Sequence, residues 1–247
     1  MPMVRTLDGV RRSLDLYYRD PARAAAMDRL YRPFVPEGAL AFDIGAHVGD
    51  RVASFRRLGA RVVAVEPQPA LHRTLRLLHG RDPGVTLVNA AVGRVPGRAT
   101  LHINTANPTI STLSDDFIAA SRDAPGWQGE KWPTSAEVEV TTLDALIAAH
   151  GQPAFIKLDV EGFEAEALAG LTQPVAALSF EFTTIQRSVA QACLARCTAL
   201  GFTRFNAALG ESQQLGDWRD ASAMAHWLDA LPHEANSGDV YAARSSR

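Results

Sequence analysis

Residues 39–50 read ALAFDIGAHVGD, and this stretch decides the fold. The apolar run Ala39-Leu40-Ala41-Phe42 meets an acid, Asp43, and then a turn holding Gly45 and Gly49. Beyond it, Val52, Phe55 and Leu58 recur at helical spacing. That order is a buried strand, a tight loop and a helix, the first half of a βαβ unit. Glycine lets the backbone turn sharply and approach a ligand, and the helix behind the loop aims its first N–H groups at that ligand. The stretch is therefore expected to be a cofactor loop.

Downstream the alternation continues. Strands are expected at 61–66, 85–89, 154–159 and 175–182, with helices at 70–79, 164–169 and 189–200. These strands are nearly continuous apolar runs, the pattern of a parallel sheet covered by helices on both faces. Residues 202–206 and 239–243 read as further strands, with an amphipathic helix at 221–231 between them. The pattern breaks at about 99–141, where two short strands, 99–103 and 137–141, flank a loop holding Trp127 and Trp132. A loop of that length is usually functional, so 104–136 is expected to be a lid or a substrate wall. Ahead of the main unit, 6–18 and 21–31 read as helices; the first carries Leu7, Val10, Leu14 and Tyr17 on one stripe. The expected organisation is an N-terminal helical extension over 1–36 and one α/β domain over 37–247, with the insertion inside it. The extension could cap the domain, cover substrate or make the contact of a homo-oligomer, and the sequence does not choose among these.

Composition narrows the function classes. Apolar residues make up 47% of the 247, enough for a sizeable core. A formal charge of −2 and the lack of a dense Lys/Arg run give no case for nucleic acid or an anionic membrane. The first residues lack the apolar segment of a signal peptide, and no apolar run is long enough to span a bilayer. Cys193 and Cys197 share a helical face with Val189 and Leu200, which is read as small-residue packing rather than half a metal site. The expected location is cytoplasmic.

Asp43, Glu66, Asp159 and Glu181 all fall at the carboxyl ends of expected strands, and Glu161 follows in the turn. That edge is where an open α/β sheet binds its ligand. Crowded carboxylates raise one another's pKa unless a cation or hydrogen-bond donors offset them, so the edge asks for a polyhydroxyl ligand, a cationic ligand or a metal. Glu66 ends VVAVEP about twenty residues past the first loop glycine, where an acid can hold both hydroxyls of a ribose. Three details turn the loop away from a dinucleotide. His47 stands where the fingerprint G-x-G-x-x-G needs its second glycine. Asp50 would repel a pyrophosphate on the same helix N-terminus. Asp43 suits a ligand carrying ammonium or sulfonium charge, and S-adenosylmethionine carries both and no phosphate.

FDIGAHVGD, VVAVEP, LVNAAVG and FIKLDVEGFEAEALAG, in that order over roughly residues 39–182, resemble the FkbM-type methyltransferases. The resemblance implies a Rossmann-like class I methyltransferase fold: a seven-stranded, mostly parallel sheet with an antiparallel last strand and helices on both faces. It implies S-adenosyl-L-methionine as cofactor and, most often, a hydroxyl oxygen of a sugar, polyketide or similar small molecule as acceptor. Carried over by position, Asp43, Gly45, Ala46 and Gly49 would line the methionine end, with His47 in the same loop. Glu66, with Pro67 after it, would hold the ribose, and Asn89 and Ala90 would approach the adenine. Asp159 and Glu161 would face the methyl group and the acceptor. His47 replaces the family's more frequent Asn and is read on balance as a solvent-facing turn residue.

Methyl transfer to a hydroxyl needs alignment and removal of a proton. Asp159 or Glu161 is the expected base, with Glu181 next. Lys157 shares a sheet face with Asp159 and is read as compensating the carboxylates. Mg²⁺ on Asp159, Glu161 and Glu181 is a further candidate, since oxygen ligands suit it. Thr109, Ser111, Thr112, Ser114, Trp127 and Trp132 are read either as acceptor contacts or as loop packing. Two rival functions are a nicotinamide-dependent oxidoreductase and a binding module without chemistry.

Overall fold

The apolar runs become strands because alternate side chains find a core on each face. The computed structural model describes residues 2–244, and side chains from residue 8 onward; Leu7 on the N-terminal stripe falls outside them. In β1 (Leu40–Ile44) all five residues are buried. Leu40, Phe42 and Ile44 face one core, and Ala41 faces the other. β2 (Arg61–Val65), β3 (Val85–Val88), β7 (Phe155–Leu158) and β8 (Ala177–Thr183) join β1 in one sheet. So do β9 (Arg204–Leu209) and β10 (Ser237–Ala243). The order is β3-β2-β1-β7-β8-β10-β9, seven strands in all, and only β10 runs against its neighbours. Strands β1 and β2 and their partners thus end along one edge, and the order reverses between β1 and β7.

Two helical layers cover the sheet. On one face lie α6 (Leu143–His150), α7 (Glu164–Ala169), α8 (Arg187–Ala199) and α9 (Ala221–Ala230), which contribute Leu146, Leu168, Leu194 and Leu228. Cys193 and Cys197 are buried free thiols in that core, so they pack. On the other face lie α2 (Pro21–Tyr31), α3 (Asp50–Arg57) and α4 (Pro69–His79), with Tyr31 edge-on to Phe55 at 4.9 Å. α1 (Pro2–Tyr18) sits apart, packing Val10 on Val48 and Leu71. Gly9 is its contact with Pro108, where a Cβ would stand 2.7 Å from the proline Cδ.

The insertion is more ordered than its sequence suggests. β4 (Ala91–Val92), β5 (Gly97–Ile103) and β6 (Thr134–Thr141) form a second sheet in the order β4-β6-β5. Within the expected loop 104–136 lies α5 (Asp115–Ser121), capped by Ser114, whose hydroxyl accepts the Phe117 N–H at 3.0 Å. Its seven residues are too few to show a helical period, which is why the pattern hid it. α6 was not expected either, although Thr142 caps it and Leu143, Leu146 and Ile147 are buried at helical spacing. Trp127 and Trp132 stack edge-on against Phe117, and their indole N–H groups donate to Asn236 and to the Ile110 carbonyl. They are packing residues. Among the described residues no helix is long and apolar enough to cross a membrane.

Candidate active site

The loop after β1 is built by two glycines and two acids. Gly45 has φ +81°, and a Cβ there would run into the Asp159 carbonyl, so only glycine lets the ends of β1 and β7 meet. The N–H groups of Gly45 and Ala46 both donate to the Val65 carbonyl, at 2.9 and 3.0 Å. His47 follows in the left-handed region, φ +49°, and its N–H donates to Glu66 Oε2 at 2.9 Å. Glu66 Oε1 accepts the Gln68 N–H at 2.7 Å. The Glu66 carboxylate therefore stitches two strand-end turns together while keeping lone pairs for a diol.

His47 is not a solvent-facing turn residue. Its ring lies 3.3 Å from Ser13 Oγ and edge-on to Tyr17 at 5.6 Å, both on α1. Burial lowers its pKa to about 4, so the ring is neutral near pH 7.

At this edge opens a cleft of about 940 Å³, its mouth included. Asp43, Gly45, Ala46, His47, Glu66, Pro67, Ala90, Asp159, Glu161 and Glu181 line it together. Two candidates do not. Gly49 turns toward α4, where a Cβ would meet His79 and Leu75 at 2.7 Å. Asn89 spends its amide on the Glu66 and Pro67 carbonyls, at 2.8 and 3.3 Å, and so braces the turn from outside. Thr109 and Ser111 line the cleft; Thr112 and Ser114 serve the insertion. The sequence reading missed Tyr17, Arg51, Gln68 and Glu211 on the walls. Arg51, one residue into the helix behind the loop, and Gln68, two residues past Glu66, carried local signals; Tyr17 and Glu211 reach the cleft by tertiary folding.

Charge in the cleft is unevenly balanced. Lys157 is 1% exposed and donates to Asp159 Oδ2 at 3.0 Å and Asp239 Oδ1 at 2.9 Å. Burial raises the Asp159 carboxyl, but Lys157 and then Arg51 outweigh it and hold it below the usual range. Glu181 lies beside Asp159, and its own pKa is pushed well up by burial and by Asp159. Glu161 is raised likewise by burial and then Asp159. It sits at φ +55°, and no hydrogen bond of its carboxyl is found among the described residues. Its backbone is pinned instead: Thr112 Oγ1 donates to the Glu161 carbonyl at 2.6 Å. Glu164 closes the same turn by accepting the Val160 and Gly162 N–H groups at 2.9 and 3.0 Å.

The groups left over describe a ligand. Asp43 is 2% exposed, its Oδ2 has no partner among the described residues, and burial raises its pKa to about 7. Both side-chain polar atoms of Gln68 are likewise buried and unpartnered. Buried polar atoms without partners are costly unless something fills the site. A cationic amino-acid end beside Asp43, a diol on Glu66 and a polar heterocycle near Gln68 and Ala90 fit these residues, and S-adenosylmethionine has all three. One oxygen each of Asp159, Glu161 and Glu181 lie within 4.8 Å of one another.

This sheet order, with the acid-rich cleft at the reversal, defines a Rossmann-like class I methyltransferase. A sequence model of the FkbM methyltransferase domain matches residues 43–235, most of the chain. The chain belongs to the FkbM methyltransferase family and is an S-adenosylmethionine-dependent methyltransferase. The nicotinamide alternative falls with that membership. No curated protein matches the chain. Among solved structures it is similar in fold to a TehB-like SAM-dependent methyltransferase from Corynebacterium glutamicum, at 13% identity and TM-score 0.51 over 99% of this chain and 100% of that one. Fibrillarin from Aeropyrum pernix, solved with natively bound S-adenosyl-L-methionine, matches at 11% identity and TM-score 0.45, covering 92% of this chain and 75% of that one. A SAM-dependent O-methyltransferase from Thermotoga maritima matches at 14% and 0.42, covering 92% and 66%.

Proposed function

We propose that the chain methylates a hydroxyl oxygen of a small molecule such as a sugar or a polyketide. The observation that carries this reading is the Glu161 carboxyl: free of partners among the described residues, raised in pKa, and on the cleft wall beside Asp159. S-adenosylmethionine, when bound, supplies an electrophilic methyl group on a sulfonium. Glu161 then takes the hydroxyl proton as the carbon–oxygen bond forms and the carbon–sulfur bond breaks. A cation in the cleft favours its ionised form, and a carboxylate with a raised pKa is a stronger base than an ordinary one.

Asp159, held ionised by Lys157, keeps a negative charge on the cleft wall beside Glu161 and Glu181. Thr109 and Ser111, which also line the cleft, carry hydroxyls able to orient the acceptor. A formal charge of −2 gives no net electrostatic attraction to nucleic acid, which supports a small-molecule acceptor.

The test is methyl transfer from isotope-labelled S-adenosylmethionine to a panel of hydroxyl compounds. Glu161→Gln is expected to lower kcat by about 10²–10⁴-fold with cofactor affinity nearly kept. Unchanged turnover in both Glu161→Gln and Asp159→Asn would refute the base assignment. The second reading, Mg²⁺ on Asp159, Glu161 and Glu181, rests on their mutual reach. Against it, the buried Lys157 ammonium already supplies positive charge beside Asp159, so activity is expected to survive chelation by EDTA.

A further inference from the structure

Four charged side chains form a closed ring at one end of the cleft. Arg23 on α2 donates to Asp50 at 3.0 Å, and Arg51 donates to the same Asp50 oxygen at 2.8 Å. Arg51 also donates to Glu211 at 3.1 Å, and Arg23 closes the ring on Glu211 at 2.6 Å. Tyr17 of α1 lies over it, its ring centroid 4.7 Å from the Arg23 guanidinium and 6.0 Å from that of Arg51. Tyr17, Asp50, Arg51 and Glu211 all line the cleft. Two arginines and two carboxylates cancel, yet the ring is not saturated. Arg51 Nε is buried without a partner among the described residues.

The arrangement is more than a surface ion-pair cluster, because it neighbours a second unsatisfied group of opposite sign. Asp43 Oδ2 is also buried and unpartnered, and Arg51 and Asp43 are close enough for the guanidinium to pull the Asp43 carboxyl downward against burial. The other cation on the cleft wall, Lys157, is already held between Asp159 and Asp239. An anion and a cation, each lacking one partner, facing one cavity, match a zwitterion whose ammonium and carboxylate share a carbon atom. An anionic acceptor fits less well, since Glu66, Asp159, Glu161 and Glu181 line the same cleft.

We propose that Arg51 binds the carboxylate of the cofactor's methionine moiety, opposite Asp43 at the ammonium, and that the ring of Arg23, Asp50 and Glu211 holds its guanidinium in place. This rests on S-adenosylmethionine being the cofactor. A charge-assisted hydrogen bond in a buried site discriminates sharply against a ligand that lacks its partner group. The ring therefore makes the protein selective for the intact amino acid.

The test is calorimetric binding of S-adenosylmethionine and of its decarboxylated analogue to the full chain, without acceptor. Wild type is expected to prefer the intact cofactor by at least about tenfold. Arg51→Met is expected to lose most of that preference by weakening the intact cofactor alone, and Arg51→Lys to restore part of it. Equal affinity of wild type for the two ligands overturns the proposal without requiring any variant to fold. So does a preference that persists in Arg51→Met. Failure of wild type to bind either ligand overturns it together with the cofactor reading, so the two failures are distinguishable.

Discussion

Lys157 shows how a single residue sets the balance of the site. A buried ammonium between two carboxylates is stable only while all three charges remain. Lys157→Met is expected to leave Asp159 and Asp239 uncompensated and to cost about 3–5 kcal/mol, read as a lower urea midpoint. The acids themselves titrate in a useful range. Asp43 has a pKa near 7 in the free protein and must ionise to meet an ammonium. Cofactor binding then releases a proton below that pH, so affinity is expected to weaken as pH falls from 7.5 to 6. Calorimetry in buffers of different ionisation enthalpy would detect the proton, and a flat profile would exclude Asp43 as the partner. The carboxylates were legible because strand ends are where such sheets bind ligands. His47, Tyr17 and Glu211 were not, because their surroundings come from α1 and from the turn after β9, remote in sequence.

At the scale of elements, the insertion and the turn after β7 act as one piece. Thr112 belongs to the insertion, yet its hydroxyl anchors the backbone of Glu161, a residue in an unfavourable left-handed conformation. Thr112→Val is expected to destabilise the fold by about 1–3 kcal/mol and to lower kcat more than it raises the KM for cofactor. Thr112→Ser should recover both, as steady-state rates would show; a purely structural contact would move stability alone. The strands were readable as apolar runs, and the core helices by their period. The insertion was not, because α5 is short and its aromatic residues look equally like a sugar platform. In the fold their N–H groups are already committed to Asn236 and Ile110.

For the whole molecule, the sheet supplies a rigid edge and α1 supplies part of the wall above it. Val10, Ser13, Tyr17 and Tyr18 tie α1 to the cofactor loop and α4 through few contacts, whereas α2 is buried in the main core. Deleting residues 2–18 is expected to leave cooperative unfolding in place and to weaken S-adenosylmethionine by about tenfold or more, since Tyr17 and the partner of His47 go with it. Circular dichroism and calorimetry on the truncated chain would check both halves.

The pairing of Lys157 also has a consequence for biosynthesis. Its second counterion, Asp239, lies 82 residues further along and enters the sheet with β10. At translation rates of about 5–20 residues per second, the ribosome needs on the order of 4–16 s to deliver it. Until β10 is made, Asp159 is the one of these two counterions available to Lys157, and β8 lacks the antiparallel neighbour that β10 supplies. Closing the sheet and completing the counterions of Lys157 therefore depend on the same strand.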